Sequence, residues 1–127
     1  MIDHISVAVS DIAASKAFYE AVLAPLNMVM FVDFGDRVGF GKKYPEFWIN
    51  ARPGVAKVSD DTGVHICLRA PSQEAVDGFF TAALEKGGRS DGDPAIRPAT
   101  ITEYYGAFIR DLDGNKIEAV TFLKPAL

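Results

Sequence analysis

Two short stretches decide the fold: DHISVAV at residues 3–9 and VHICLRA at residues 64–70. A shift of 61 residues superposes them, so that His4 falls on His65 and Ile5 falls on Ile66. The same shift continues downstream in pairs of identical residues: Ala14 with Ala75, Phe18 with Phe79 and Leu23 with Leu84. A repeat of this length is longer than a solenoid unit, and it predicts two copies of one supersecondary module.

Each copy opens with alternating residues. Ile5 and Val7 point to one side of the first stretch, while His4 and Ser6 point to the other. Period-two alternation with one apolar face is typical of a half-buried strand. We therefore expect residues 2–9 and 63–70 to be strands, with the chain's only two histidines on the face turned away from the apolar layer.

The composition is ordinary for a soluble globular protein, since 49% of the 127 residues are apolar and 24% are charged. A formal net charge of −4 without runs of Lys or Arg disfavours nucleic acid and anionic membranes as partners. No apolar stretch reaches membrane-spanning length, and a strand rather than a signal peptide stands first. The single cysteine, Cys67, cannot form an internal disulfide. We expect one cytoplasmic domain that binds neither nucleic acid nor membrane.

The rest of the first half predicts one helix and three strands. Ser10 and Asp11 offer N-cap chemistry, apolar residues then recur at helical spacing, and Pro25 ends the helix near Ala24. Turn residues separate three strand-like segments at residues 28–34, 37–41 and 46–50.

The second half repeats this order. A helix capped by Ser72 ends at Gly87-Gly88, and an irregular segment at residues 89–103 follows. Strands at residues 104–110 and 116–122 are joined by an Asp-Gly turn, which is a strong hairpin signal. This hairpin matches the first half at a shift of 70, which places Glu118 over Trp48. The nine additional residues are assigned to the irregular segment.

The predicted fold class is α+β. Two βαβββ modules lie in tandem, the first at residues 1–51 and the second at 63–127, with a linker at 52–62. One helix covers the outside of each curved mixed sheet, and the other faces of the sheets surround a shared cavity.

Three side chains from different strands are predicted to converge on that cavity: His4, His65 and Glu118. Ile117 and Ala119 face the helix by alternation, so Glu118 faces the cavity. Two His and one carboxylate form a recognised ligand set for Fe(II) that also suits Mn, Ni or Zn and leaves positions open for substrate. The alternative interpretation is that the histidines are hydrogen-bonded structural residues and that Glu118 is solvated.

Six further residues share the inward parity and are predicted to line the substrate pocket: Ser6, Trp48, Asn50, Tyr104, Phe108 and Arg110. Trp48 and Phe108 either sandwich a flat ligand or fill space. Arg110 either holds an anionic group or lies on the surface. Cys67 is interpreted as a small core residue, and the segment 89–103 as a loop that closes over a ligand.

The paired βαβββ pattern, the DHI and VHI motifs and the closing RDLDGNKIE segment at residues 110–118 resemble the vicinal oxygen chelate superfamily. This group contains glyoxalases, bleomycin-resistance proteins and extradiol dioxygenases. The resemblance covers essentially the whole chain. It implies a divalent metal held by His4, His65 and Glu118, a small substrate with neighbouring oxygens, and a homodimer whose sites lie within one chain or between chains.

Departures from family patterns limit this expectation. Glyoxalase I enzymes resemble the pattern but carry a fourth ligand, a Glu, where Trp48 stands here. Fosfomycin-resistance transferases carry a Tyr where Phe108 stands and a Thr where Ser6 stands, and no third histidine is present to serve as the acid or base of a dioxygenase. We expect a metal-dependent lyase, dioxygenase or transferase with no catalytic residue assigned. The alternative is a metal-free small-molecule-binding protein of the bleomycin-resistance type.

Overall fold

Each half of the chain folds into a four-stranded mixed sheet with one helix against it, as a computed structural model of residues 1–98 and 102–123 shows. The first module comprises β1 (Ile5–Val9), α1 (Ile12–Leu23), a 3-10 turn (Ala24–Leu26), β2 (Val29–Asp33), β3 (Arg37–Gly41) and β4 (Phe47–Ala51). The second comprises β5 (Ile66–Arg69), α2 (Gln73–Glu85), β6 (Arg89–Arg97), β7 (Tyr104–Arg110) and β8 (Lys116–Phe122). The predicted α+β fold of tandem βαβββ modules is confirmed.

The two sheets have the same topology. The strand order is β1-β4-β3-β2 in one and β5-β8-β7-β6 in the other. In both, the first strand runs parallel to its neighbour, and the remaining pairs are antiparallel. Ser6 pairs with Trp48 in the first sheet, and Cys67 pairs with Glu118 in the second. These registers reproduce both shifts read from the sequence, 61 residues for the first strand and 70 for the last.

The helices begin where the sequence predicts. The side chain of Asp11 caps α1 by accepting a hydrogen bond from the backbone N–H of Ala14, and Ser72 caps α2 through the N–H of Ala75. Gly87 follows α2 with a φ of 97°, a left-handed conformation that suits glycine after a helix. The helices pack apolar faces on the sheets, and the buried core includes Val9, Phe18, Phe40, Phe47, Phe79, Ile109 and Ile117. None of the described helices is long and apolar enough to cross a membrane.

The prediction of an irregular segment at residues 89–103 is wrong for its first nine residues, which form β6. Pro94 and Gly92 argued against a strand, but β6 lies at the edge of its sheet, where a proline costs no ladder hydrogen bond on the open side. Two register shifts interrupt its pairing with β7 near Gly92 and Ala95. Residues 99–101 of the segment, and residues 124–127 of the second module, lie outside the described residues.

A buried polar cluster joins the closing hairpin to the first module. Tyr19, on α1, donates a hydrogen bond of 2.5 Å to Oδ2 of Asp111. Asp113 accepts the backbone N–H of Ser10 with both carboxylate oxygens, at 3.1 Å each. Asn115 donates to the carbonyl of Ala8 at 3.0 Å and to Asp111 at 2.9 Å. The turn 111–115 therefore holds β7 and β8 in place as well as connecting them.

Candidate functional site

His65 and Glu118 meet on the open face of the second sheet. Because β5 and β8 are parallel neighbours and Cys67 pairs with Glu118, the odd-numbered residues of β5 share one face with the even-numbered residues of β8. His65 stands immediately before β5, and its Nε2 lies 3.1 Å from Oε1 of Glu118. The imidazole is partly exposed, whereas Glu118 is only 4% exposed. An acid and an imidazole are thus paired at the floor of this face.

The second carboxylate oxygen of Glu118 is buried and has no hydrogen-bond partner in the described part of the chain. A buried carboxylate oxygen without a donor or cation costs free energy, because the water that solvated it is not replaced. An imidazole nitrogen beside a carboxylate oxygen is also a donor pair that suits Fe, Mn, Ni or Zn. The residues present therefore fit two of the three ligands of the predicted metal site.

His4 does not join this pair within one chain. It stands just before β1, as His65 stands just before β5, but Trp48 occupies the position on β4 that Glu118 occupies on β8. The Nδ1 atom of His4 lies 2.7 Å from Oδ2 of Asp3. In residues 1–98 and 102–123, no group of three or more His, Cys, Asp or Glu side chains is close enough to hold a metal ion. The expectation that His4, His65 and Glu118 converge is not met in a single chain.

A groove nevertheless runs between the starts of the two modules. Its volume is about 430 Å³, and it is lined by both histidines together with the following residues: Ile2, Asp3, Ile5, Glu46, Ile66, Cys67 and Leu68. The groove shows that the two repeated motifs lie on neighbouring edges of the molecule, as the duplication predicts, although their imidazoles do not share a ligand group.

Cationic and aromatic side chains surround the acid–imidazole pair. The ring of Phe108 lies 5.6 Å from the His65 ring. The guanidinium of Arg97 and the ammonium of Lys116 lie 5.2 Å and 4.8 Å from the centre of the Phe108 ring. Partial burial and the charge of Glu118 raise the pKa of the Tyr104 hydroxyl above its usual value. Tyr104 and Phe108 are therefore on the predicted face, next to Glu118 and His65 respectively.

Cys67 is exposed on this face, which corrects its interpretation as a core residue. Loss of water around the sulfur, followed by the negative charge of Glu118, raises the pKa of the thiol to about 12. The thiol is thus protonated at neutral pH, and a nucleophilic thiolate is not available there.

Arg110 is not placed to bind a ligand. Its guanidinium is 3% exposed and donates to protein acceptors: Oδ2 of Asp91 at 2.8 Å, the carbonyl of Gly114 at 3.0 Å and the carbonyl of Asp60 at 2.9 Å. Desolvation raises the pKa of Asp91, but the hydrogen bonds and positive charges of Lys116 and Arg110 together lower it below its usual value. The predicted pocket role of Arg110 is therefore replaced by a structural one: it ties β7 to β6 and to the linker.

Three predicted pocket residues line a cavity on the open face of the first sheet, here named the Trp48 cavity. It has a volume of about 420 Å³ and is lined by Asp3, His4, Ser6, Arg37, Pro45, Trp48 and Asn50. Trp48 belongs to the first sheet, whereas Phe108 belongs to the second. The ring of Phe34 lies parallel to the indole of Trp48, with 6.4 Å between the ring centroids and an angle of 6° between the ring planes. The guanidinium of Arg37 lies 4.5 Å from the Phe34 ring.

Phe34, Arg37 and Lys116 were not among the residues predicted for the site, whereas Arg97 belongs to the segment 89–103 that was expected to close over a ligand. Arg37 and Lys116 were identifiable, because each starts a strand on the same face as a predicted site residue: Arg37 lies opposite Asn50, and Lys116 stands two residues before Glu118. Phe34 and Arg97 lie in a turn and in an irregular edge strand, where alternation gives no guidance.

Comparisons with known proteins agree with this architecture. The family model described as the Glyoxalase/Bleomycin resistance protein/Dioxygenase superfamily matches residues 1–119. A glyoxalase/bleomycin resistance protein from Albidiferax ferrireducens is 30% identical, with a TM-score of 0.84 over 94% of this chain and 98% of that one. A glyoxalase/bleomycin resistance protein/dioxygenase family enzyme from Burkholderia phytofirmans is 18% identical, with a TM-score of 0.69 over 95% and 98%.

The fold is also that of a fosfomycin resistance protein, FosX, from Listeria monocytogenes, at 19% identity and a TM-score of 0.67 over 94% of this chain and 91% of that chain. No functionally curated protein matches the chain.

Proposed function

Because the chain belongs to the glyoxalase/bleomycin resistance protein/dioxygenase superfamily, we propose that it is a metal-dependent enzyme acting on a small substrate with neighbouring oxygens. The observation that carries the proposal is the buried, unpartnered oxygen of Glu118 beside the imidazole of His65. A divalent transition metal bound there would act as a Lewis acid that stabilises an oxyanion of the substrate.

The chain's own residues bind and shield the reacting group in this proposal. His65 and Glu118 supply two ligands, and His4 supplies the third. Phe108 and Tyr104 limit the access of water to Glu118. The reaction is a lyase, dioxygenase or transferase step.

The third ligand comes from a second copy of the chain in this proposal. The His4 side chain is 55% exposed and has no ligand group within its own chain among the described residues, so an isologous dimer would bring His4 of one copy to His65 and Glu118 of the other. Such a dimer contains two identical sites, each built from both chains.

Metal analysis of protein purified without a histidine tag tests the first part. We expect about one transition metal per chain by mass spectrometry and a loss of at least tenfold in Glu118→Gln, because an amide is a much weaker ligand than a carboxylate. Glu20→Gln, an exposed carboxyl on α1, is the matched control and should retain the metal. No metal in the unaltered protein at any metal supply would refute the proposal.

Mixing variants tests the second part. His4→Ala and Glu118→Gln each disable every site of their own dimers. In an equal mixture after subunit exchange, half of the dimers contain one copy of each, and one of their two sites is intact. Metal content should then recover to about a quarter of the unaltered value. A site within one chain gives no recovery.

A metal-free binding protein is the second candidate, and the Trp48 cavity favours it. Trp48 stands in the first sheet where Glu118 stands in the second, so that one of the two equivalent positions offers an aromatic surface instead of a ligand. Binding of small aromatic compounds by protein that takes up no metal would support this candidate over the enzyme.

A further inference from the structure

The Trp48 cavity is organised in two rows across the first sheet. Ser6, Trp48 and Gly39 are cross-strand neighbours on β1, β4 and β3, and Ala8, Asn50 and Arg37 form the next row on the same face. Adjacent rows on one face are two residues apart, or about 7 Å. The indole of Trp48 in the first row is thus separated from the amide of Asn50 and the guanidinium of Arg37 in the second row by about the length of one substituted aromatic ring.

Glycine in the first row gives the indole its position. A Cβ added at Gly39 would lie 2.8 Å from Cβ of Pro45 and 3.1 Å from both Cε2 and Cε3 of Trp48. The indole therefore lies directly over the backbone of its cross-strand neighbour, in space that any other residue would fill. The backbone of β3 and the ring of Pro45 therefore restrict the rotation of the indole.

Arg37 is held at the end of the second row by weak contacts. Its guanidinium lies 4.5 Å from the Phe34 ring, and its Nη1 is 3.2 Å from Oδ1 of the exposed Asp36. An ion pair this exposed contributes little to stability. The guanidinium is therefore oriented by Phe34 but can exchange Asp36 for another carboxylate at small cost.

Opposite charges lie at opposite ends of the Trp48 cavity. Arg37 is the single Lys or Arg among the described residues that line the cavity, and it lies beside Asn50 at the end nearest the last residues of β1. The acid among the lining residues, Asp3, lies before β1 at the other end and already contacts His4 at 2.7 Å. An anionic group is favoured at the Arg37 end.

We propose that the Trp48 cavity binds a planar aryl carboxylate: the ring lies on the indole of Trp48, and the carboxylate receives hydrogen bonds from Arg37 and Asn50. A guanidinium recognises a carboxylate through paired N–H donors, and an aromatic ring on indole gains contact area with little loss of side-chain freedom. This substrate class rests on the proposed function, in which the open sheet faces form the substrate site.

The single tryptophan makes the test specific to this cavity. A ¹⁵N-labelled protein has one indole N–H cross-peak, that of Trp48. Metal-free, EDTA-treated protein is titrated with benzoate and with three matched probes: benzyl alcohol, which is neutral, benzylammonium, which is cationic, and cyclohexanecarboxylate, which is not planar. We expect a saturable shift of the peak with benzoate at the lowest concentration of the four.

Two variants are expected to weaken benzoate binding. Arg37→Met should raise the Kd at least about tenfold, because a charge-assisted hydrogen bond is lost, whereas Arg89→Met, an exposed Arg of the second module, should leave it unchanged. Gly39→Ala should move the indole peak of the free protein and raise the Kd, since its Cβ displaces the ring.

The proposal is overturned if benzoate causes no saturable shift, if benzyl alcohol or benzylammonium binds as tightly, or if Arg37→Met binds benzoate like the unaltered protein. Failure of the metal proposal is separate, because the metal content depends on Glu118 of the other sheet and benzoate binding is measured without metal.

Discussion

Replacing Tyr19 with Phe removes one hydroxyl from the cluster that joins the closing hairpin to the first module. Tyr19 is completely buried, and its hydroxyl donates to Oδ2 of Asp111 at 2.5 Å. A buried hydrogen bond to a charged acceptor contributes about 1.5–3 kcal/mol. Oδ2 retains the hydrogen bond from Asn115 at 2.9 Å, so the acceptor is not left without a donor. We expect the free energy of unfolding to fall by about 2 kcal/mol.

Tyr105→Phe is the matched control. The hydroxyl of Tyr105 also donates to a carboxylate, Oδ1 of Asp77 at 2.6 Å, but this contact lies at the surface, where water can replace the donor. The change in unfolding free energy should stay within about 0.5 kcal/mol. Urea unfolding followed by circular dichroism, at one chain concentration for all variants, measures both values.

The cluster also predicts a pH dependence. Burial, and then the charge of Asp111, raises the pKa of the Tyr19 hydroxyl well above its usual value. A raised pKa in the folded state means that the folded chain holds this proton more tightly than the unfolded chain does. Its contribution to stability is therefore complete below about pH 10, the unfolded value, and is lost as the pH rises above it. Tyr19→Phe should show a shallower loss of stability between about pH 10 and 12.

Three results would refute this reasoning. The free energy of unfolding of Tyr19→Phe could lie within about 0.5 kcal/mol of that of the unaltered protein, which is the range of ordinary surface substitutions. The loss of unfolding free energy in Tyr19→Phe could also be no larger than that in Tyr105→Phe. Tyr19→Phe could also leave the alkaline loss of stability unchanged, and then the phenol would not be a buried donor to Asp111.

Three further predictions concern other parts of the chain. Gly41→Ala should lower the free energy of unfolding by about 3 kcal/mol or more, because the added Cβ would lie 1.8 Å from the carbonyl oxygen of Tyr44. Urea unfolding measures this change, and a value below about 1 kcal/mol would contradict the geometry. Asp91→Asn should lower the free energy of unfolding at neutral pH. The lowered folded pKa of Asp91 gives stability that is complete above the unfolded value of about 4 and is lost as the pH falls through the folded value, so the difference should shrink below about pH 4. A pH-independent difference would exclude this role. In metal-free protein, iodoacetamide should alkylate Cys67 at pH 8 at least about tenfold more slowly than a free cysteine, because a pKa raised to about 12 leaves little thiolate, although that thiolate is the stronger nucleophile. Alkylation at the free rate would place the thiol in an ordinary environment.

The fold could be predicted from the sequence because the local signals for strands, helix caps and turns agree with the strand pairing that the internal repeat predicts. Alternation marked β1 and β5, Asp11 and Ser72 marked the helix starts, and the Asp-Gly pair marked the closing turn. The shifts of 61 and 70 even predict which residues pair across strands, since Ser6–Trp48 and Cys67–Glu118 are equivalent. The strand β6 was missed because an edge strand with bulges tolerates Gly and Pro, which are signals for turns elsewhere.

The site was readable only in part. Glu118 and His65 meet because the register of β5 and β8 places them on one face. His4 has the same place in its repeat, but Trp48 stands on β4 where Glu118 stands on β8, and Asp3 is the carboxylate that His4 contacts. Arg110 shows the converse, since correct parity brought it to the right face while Asp91 and two carbonyls bind its guanidinium. Parity gives the face of a side chain but not its partner.

Duplication also sets which module carries the indole and which carries the acid. Equivalent positions on β4 and β8 hold Trp48 and Glu118, so the tryptophan belongs to the first module and the metal-ligating acid to the second. If two copies pair isologously, each Glu118 sheet faces a Trp48 sheet, and the divided functions are reunited twice in one dimer. The proposed metal site and the proposed aryl carboxylate site then become two halves of one cavity. In that case Trp48→Ala would weaken benzoate binding and leave the metal content intact, whereas Glu118→Gln would do the reverse.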